Sequence, residues 1–125
     1  MEINQITEII IGCAIEVHRH LGPGLLESTY ETCLCFELEK KGLVYNKQLG
    51  LPLVYKEIKM DQGYRLDLLV EGKIVVEIKV ADGISDLFVA QTLTYLKLSG
   101  AAVGLIINFN VLKLTSGIRR LMLKN

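Results

Sequence analysis

Asp67, Glu77 and Lys79 are the residues of this 125-residue chain whose types and spacing point most directly to chemistry. They fall in two alternating runs, Tyr64–Val70 and Lys73–Val80, on either side of Glu71-Gly72. Side chains alternate faces along a strand. On the first run Tyr64, Leu66, Leu68 and Val70 share a face, leaving Arg65, Asp67 and Leu69 on the other. On the second, Ile74, Val76, Ile78 and Val80 share a face, leaving Lys73, Val75, Glu77 and Lys79. The apolar faces must turn to one side to share a core, and burial then fixes the register. Leu68 lies opposite Val76 and Val70 opposite Ile74, which sets Asp67 opposite Glu77. This register demands an odd connection, Glu71-Gly72-Lys73 or longer. A two-residue turn would set Asp67 against Val76 and mix the faces.

Two adjacent carboxylates repel, and like charges facing each other across strands destabilise a sheet. A cation must offset them. Lys79 stands two residues beyond Glu77 on the same face, and Arg65 shares the face of Asp67, placed to pair with a carboxylate or to contact phosphate. A divalent metal is the other candidate, because Mg²⁺ takes one or two carboxylates together with water and phosphate oxygens. On alternation alone, a solvated face with an ion pair explains the same residues.

The elements that must position this hairpin can be read from apolar periodicity. Residues 5–20 carry Ile6, Ile9, Ile10, Cys13, Ala14 and Val17 at helical spacing, and Leu21-Gly22-Pro23-Gly24 breaks the pattern. A second helix runs to about Lys41 with Leu26, Tyr30, Cys33, Leu34 and Leu38 on one stripe, and Gly42 ends it. The two helices form a hairpin. Residues 43–59 read as extended, and Pro52, which lacks an N–H, assigns them to an edge or bent strand. After the carboxylate hairpin comes a helix from about Ile84 to Leu98, stopped by Ser99-Gly100. Then follow an apolar strand, Val103–Asn108, and short strands over Val111–Leu114 and Ile118–Leu123. The order ααβββαβ, with short C-terminal strands, is a mixed α/β fold in a single domain over 1–125.

Half of the residues are apolar and the formal net charge is zero. Such a composition excludes disordered and collagen-like classes. No apolar run reaches the ~20 residues that span a bilayer, and Met1-Glu2-Ile3-Asn4-Gln5 is acidic where a signal peptide is basic. The expectation is a cytoplasmic protein with no membrane partner. The charge is unevenly spread: Glu2, Glu8, Glu16, Glu27 and Glu31 face Arg19 alone at the front. The last third carries Lys97, Lys113, Arg119, Arg120 and Lys124 against Asp82 and Asp86. Arg119, Arg120 and Lys124 are the candidate phosphate-facing groups. Cys13, Cys33 and Cys35 have no CxxC spacing and read as reduced thiols packed as small apolar groups. His18 and His20 have no ligand partner in the sequence, although His20 is close to Glu27. Gly22-Pro23-Gly24 lacks the Lys-Ser/Thr of a P-loop and reads as a tight turn.

The arrangement Asp67 … Glu77-Ile78-Lys79 resembles the PD-(D/E)xK nuclease signature. Gln91-Thr92-Leu93-Thr94-Tyr95 is similar to the QxxxY helix of the RecB-like and Cas4-like branch, and Gly24-Leu25-Leu26-Glu27-Ser28-Thr29-Tyr30 to the motif of the GxxExxY family. The resemblance extends from about Gln5 to Leu123 and implies a restriction-endonuclease-like core. It further implies that Asp67, Glu77 and the backbone carbonyl of Ile78 hold Mg²⁺ or Mn²⁺. Glu27 would reach the site as a third carboxylate, directly or through water, although a glutamate in a helix's first turn is also favoured by the macrodipole. Lys79 would orient or help deprotonate the attacking water. Gln91, with Tyr95, would lie beside the cluster or the substrate backbone, unless the glutamine merely caps a free backbone group. Tyr30 is core or site. The implied function is hydrolysis of phosphodiester bonds, above all in DNA. A silent nucleic-acid- or protein-binding module on the same fold is the alternative. The zero net charge leaves room for a homo-oligomer or a protein partner that supplies positive surface.

Overall fold

The computed structural model describes residues 1–124, Gln62 by its backbone alone. Two helices, α1 (Ile3–Leu21) and α2 (Glu27–Lys40), precede strands β1 (Tyr45–Tyr55), β2 (Ile58–Val70) and β3 (Ile74–Lys79). Helix α3 (Asp86–Ser99), β4 (Val103–Asn108), a 3₁₀ turn (Leu114–Gly117) and β5 (Ile118–Met122) complete the chain. The sheet runs β1-β2-β3-β4-β5. β3 and β4 pair in parallel across the α3 crossover, and the other neighbours are antiparallel. Among the described residues, no helix is long and apolar enough to cross a membrane.

The helices take opposite faces of the sheet. Ile6, Ile10, Cys13, Ala14 and Val17 of α1 and Tyr30, Leu34, Cys35 and Leu38 of α2 share one apolar cluster with Leu68, Val70, Ile74, Val76, Ile78, Leu105 and Ile107. Tyr95 and Leu96 of α3 pack on the other face with Leu51, Leu66, Val75 and Ala101. Each helix boundary has a local cause. Tyr30 hydroxyl donates to the Gly22 carbonyl and accepts from the Leu25 N–H, at 2.5 and 3.1 Å, pinning the turn that launches α2. Ser85 Oγ accepts from the Phe88 N–H at 3.2 Å to start α3, and Gly100, left-handed at φ 73°, ends it. α3 lies close on β4 because Gly104 has no side chain: a Cβ there would come 2.9 Å from Thr92 Cγ2.

The helical hairpin, the edge position of residue 52, the three-residue hairpin connection and the stop at Gly100 agree with the sequence reading. Pro52 sits at a register shift between Leu51 and Leu53 on the edge strand β1. Three readings need correction. Residues 43–59 are not one extended piece: β1 ends at Tyr55, the chain turns at Lys56-Glu57 with Lys56 at φ 52°, and β2 has begun at Ile58. Val111–Leu114 is not a strand, because the chain there bends into the 3₁₀ turn. Leu66 does not share the face of Leu68 and Val70: it packs in the α3 cluster, so the alternation of β2 breaks at Asp67.

Candidate functional site

That break is where the chemistry-bearing residues gather. The β2–β3 ladder runs Val70↔Ile74, Leu69↔Val75, Leu68↔Val76 and goes no further. Beyond it, side chains take over the backbone groups. The Ile78 N–H donates to Asp67 Oδ2 and the Asp67 N–H donates to Glu77 Oε2, both at 2.8 Å. Each carboxylate is thus fixed to the backbone of the opposite strand. The register foreseen from the apolar pattern does bring Asp67 and Glu77 together, held by backbone donors rather than by the plain pairing of two opposed residues. N–H and C=O of one strand residue point to the same edge, so the Ile78 carbonyl faces the Asp67 side.

Electrostatics marks the pair as under tension. Glu77 is 3% exposed. Burial, then the charge of Asp67, pushes its carboxyl up to about 8, against the opposing pull of the Asp67 N–H and Lys79. Asp67 is also raised, by burial first, although the Ile78 N–H and Lys79 pull it down. Lys79 does not clamp either acid in a direct ion pair. Its Nζ lies 4.6 Å from the centre of the Phe88 ring on α3.

Two glutamates of α2 approach from the other side. Glu27, in the first turn, accepts from the Val80 N–H at 3.2 Å through Oε2, and its charge acts on Asp67 and Glu77. Glu31, one helical turn on, is 8% exposed, with its carboxyl raised mainly by burial. It accepts from Gln48 Nε2 at 2.7 Å and pairs with Lys47 at 3.8 Å. The same Gln48 nitrogen stands 3.4 Å from Asp67 Oδ1. Gln48 is left-handed at φ 52°, in the gap of the β1–β2 register between Lys47↔Leu68 and Leu49↔Leu66. The sequence reading missed both residues. Glu31 was findable, because four residues after Glu27 is the same helix face. Gln48 was not, since nothing in the sequence marks a left-handed residue inside a strand.

The remaining sequence candidates divide. Tyr95 is buried beside the acids, its hydroxyl raised by burial and by the charges of Glu77 and Asp67. Tyr30 is a core residue, fully buried and stacked on Phe109 at 4.3 Å, and its hydroxyl holds the turn before Glu27. Gln91 is exposed, not buried on a core stripe, and its side chain makes no hydrogen bond among the described residues. α3 buries Thr92, Tyr95 and Leu96 instead. Arg65 is exposed beside Gly50, Asp61 and Tyr64 and forms no ion pair or hydrogen bond to the acids among the described residues, because the break at Asp67 turns it off their face. The basic tail splits as well. Arg119 pairs with Ile106, itself opposite Glu77, so it lies on the acids' face of the sheet. Arg120 is on the reverse face, bonded to Asn4 Oδ1 at 2.8 Å, and Lys124 lies beyond β5. His18 packs inside, its ring Nε2 2.8 Å from the Val111 carbonyl, and His20 pairs with Glu16 at 2.9 Å rather than near Glu27.

Among the described residues no three His, Cys, Asp or Glu side chains are grouped to hold a metal ion. The donor chemistry still suits a hard divalent cation. Two backbone-fixed carboxylates with like charges in excess match the one or two carboxylates that Mg²⁺ takes, with water and phosphate filling the other positions.

A comparison with protein families places the chain. The model of the PD-(D/E)XK nuclease superfamily matches residues 4–121, and the chain belongs to that superfamily. The mixed sheet between helices is its restriction-endonuclease-like α/β fold, and its nucleases generally use divalent metals. Searches of curated proteins and of solved structures gave no match.

Proposed function

We propose that this chain is a divalent-metal-dependent nuclease, one domain over 1–125, that hydrolyses phosphodiester bonds in DNA in the cytoplasm. The observation that carries the reading is the pair Asp67, half-buried, and Glu77, buried, fixed to each other's strands and raised in pKa, with Lys79 alongside. Mg²⁺ or Mn²⁺ held by Asp67, Glu77 and the Ile78 carbonyl would supply Lewis-acid polarisation of the phosphate and a lowered pKa for water. Glu27 adds a third carboxylate within reach, and Glu31 with Gln48 holds Asp67 from behind. Lys79 offsets phosphate charge and orients the attacking water, whose oxygen bonds to phosphorus as the P–O bond to the leaving strand breaks and a proton passes to the leaving oxygen. Arg119 is the tail residue positioned to meet a neighbouring phosphate.

Within the superfamily we place the chain in the GxxExxY family. Support comes from Glu27 beside the site and from Tyr30, which builds the turn that presents it. Kinship with the RecB-like and Cas4-like branch rests on Tyr95 rather than on the solvent-facing Gln91. A zero net charge gives a lone subunit weak hold on a polyanion, so a second copy or a protein partner supplies further positive surface. The test is cleavage of single- and double-stranded DNA and RNA in Mn²⁺ by wild type and Lys79→Ala. The expected result is DNA cleavage lost in the variant. Cleavage surviving equally in Lys79→Ala contradicts the assignment, and no cleavage of any substrate turns the reading to a silent binding module.

A further inference from the structure

Beside the acids, α3 and β2 enclose a surface depression of about 520 Å³, within the range of ligand-sized sites. Tyr64, Leu87, Phe88, Ala90, Gln91 and Thr94 line it. Its position is set by two links to the cluster. Phe88 carries the Lys79 ammonium over its ring, and Tyr64 is near enough to act on Tyr95, which also feels Glu77 and Asp67. Its lining is apolar and aromatic with a free polar edge. Leu87 is 75% exposed and Tyr64 37%, although α3 satisfies its packing through Thr92, Tyr95 and Leu96. No carboxylate lines it, and the Gln91 amide is free among the described residues. The groove between α1 and α2 is the opposite: Glu8, Glu16 and Glu37 outnumber Lys41 in its lining, which disfavours a polyanion.

We propose that this depression is a nucleobase subsite: an unpaired DNA base next to the scissile phosphate stacks on Phe88 and Tyr64, with its edge toward Gln91. The proposal rests on the nuclease reading and names its substrate class as single-stranded or frayed DNA. Aromatic rings bind bases through π-faces, and in a duplex those faces are covered by neighbouring base pairs. Lys79 joins the two subsites. In the free protein its ammonium covers the Phe88 ring. A phosphate at the acids draws the ammonium away, and the uncovered ring face takes the base.

The test uses single-stranded DNA containing 2-aminopurine, which dims on stacking, titrated with the protein in a Ca²⁺ buffer, against a duplex of the same sequence. Binding with quenching is expected for the single strand and neither for the duplex. Tyr64→Leu and Phe88→Leu each weaken binding about tenfold and remove the quenching, while Tyr64→Phe keeps both. Duplex bound as well as the single strand, or leucine variants that bind and quench like wild type, overturns the proposal. The readout needs no cleavage, so the two readings fail separately. Cleavage with no dependence on Tyr64 or Phe88 leaves a nuclease without this subsite. Single-strand quenching without cleavage leaves the subsite in a protein that does not cut.

Discussion

Glu16 and Glu77 are the same side chain in opposite circumstances. Glu16 sits on the outer side of α1, bonded to Arg19 and to His20, and these partners hold its carboxyl below the usual range. Glu77 sits at the end of β3, where burial and the nearby Asp67 push its carboxyl up to about 8. The outer cluster is complete in itself: acid meets base, both in water, and such pairs contribute little to stability. The inner cluster is incomplete. Glu27, Glu31, Asp67 and Glu77 converge; Lys47 pairs with Glu31 at 3.8 Å, but Lys79, the ammonium beside Asp67 and Glu77, rests on an aromatic ring. Backbone hydrogen bonds hold three of those acids, Glu27, Asp67 and Glu77, in place. Unbalanced charge in a rigid setting distinguishes a site built to receive a cation from a surface that merely carries charge.

Substitutions on the two sides should separate accordingly. Glu77→Gln has the largest effect: cleavage in Mn²⁺ falls to background. Its effect on metal-free stability has the opposite sign. The folded state holds the Glu77 proton more tightly than the unfolded chain does, so between about pH 4.5 and 8 it binds more protons. Metal-free wild type therefore loses stability, by up to a few kcal/mol, as pH rises through that window, and urea melts of Glu77→Gln show a flatter profile. Gln48→Ala comes next. It removes the amide from Glu31 and Asp67, lowering cleavage roughly tenfold or more, as loss of an outer-shell partner does, and stability by about 1–3 kcal/mol, because Glu31 stays buried. Tyr30→Phe keeps the ring on Phe109 but strips a bridging hydroxyl from the Gly22 carbonyl and the Leu25 N–H. The expected cost is about 1 kcal/mol in a urea melt, with a smaller fall in cleavage than for Gln48→Ala. Glu16→Gln closes the series, with melting temperature and cleavage both unchanged. A loss of cleavage in Glu16→Gln would erase the contrast on which the assignment stands.

The sequence made the hairpin legible and the pocket around it only partly so. Leu68, Val70, Ile74 and Val76 fix the register by burial, and Asp67 and Glu77 follow from it. Pro52 and Gly100 mark their places because one lacks an N–H and the other tolerates a left-handed backbone. Strict alternation failed only at Asp67. There Gln48 leaves the β1–β2 ladder and Leu66 crosses to the α3 side, which turned Arg65 away from the acids. Periodicity describes a regular pleat and contains no information about such a break. Glu31 shares the helix face of Glu27 and could be found from that spacing, but its partner Gln48 comes from a different strand and leaves no mark in the sequence. The basic tail misled because adjacent strand residues face opposite ways, which puts Arg120 against Asn4 while Arg119 shares the face of Glu77.

The central claim, that the inner acids await a divalent cation, is tested most directly by thermal melting at pH 8 in EDTA and then in millimolar Mn²⁺. Wild type should gain several degrees with Mn²⁺, as binding to the folded state alone requires. Glu77→Gln should melt at or above wild type in EDTA and gain nothing. A wild type indifferent to Mn²⁺, or a Glu77→Gln variant stabilised as much as wild type, would contradict the account.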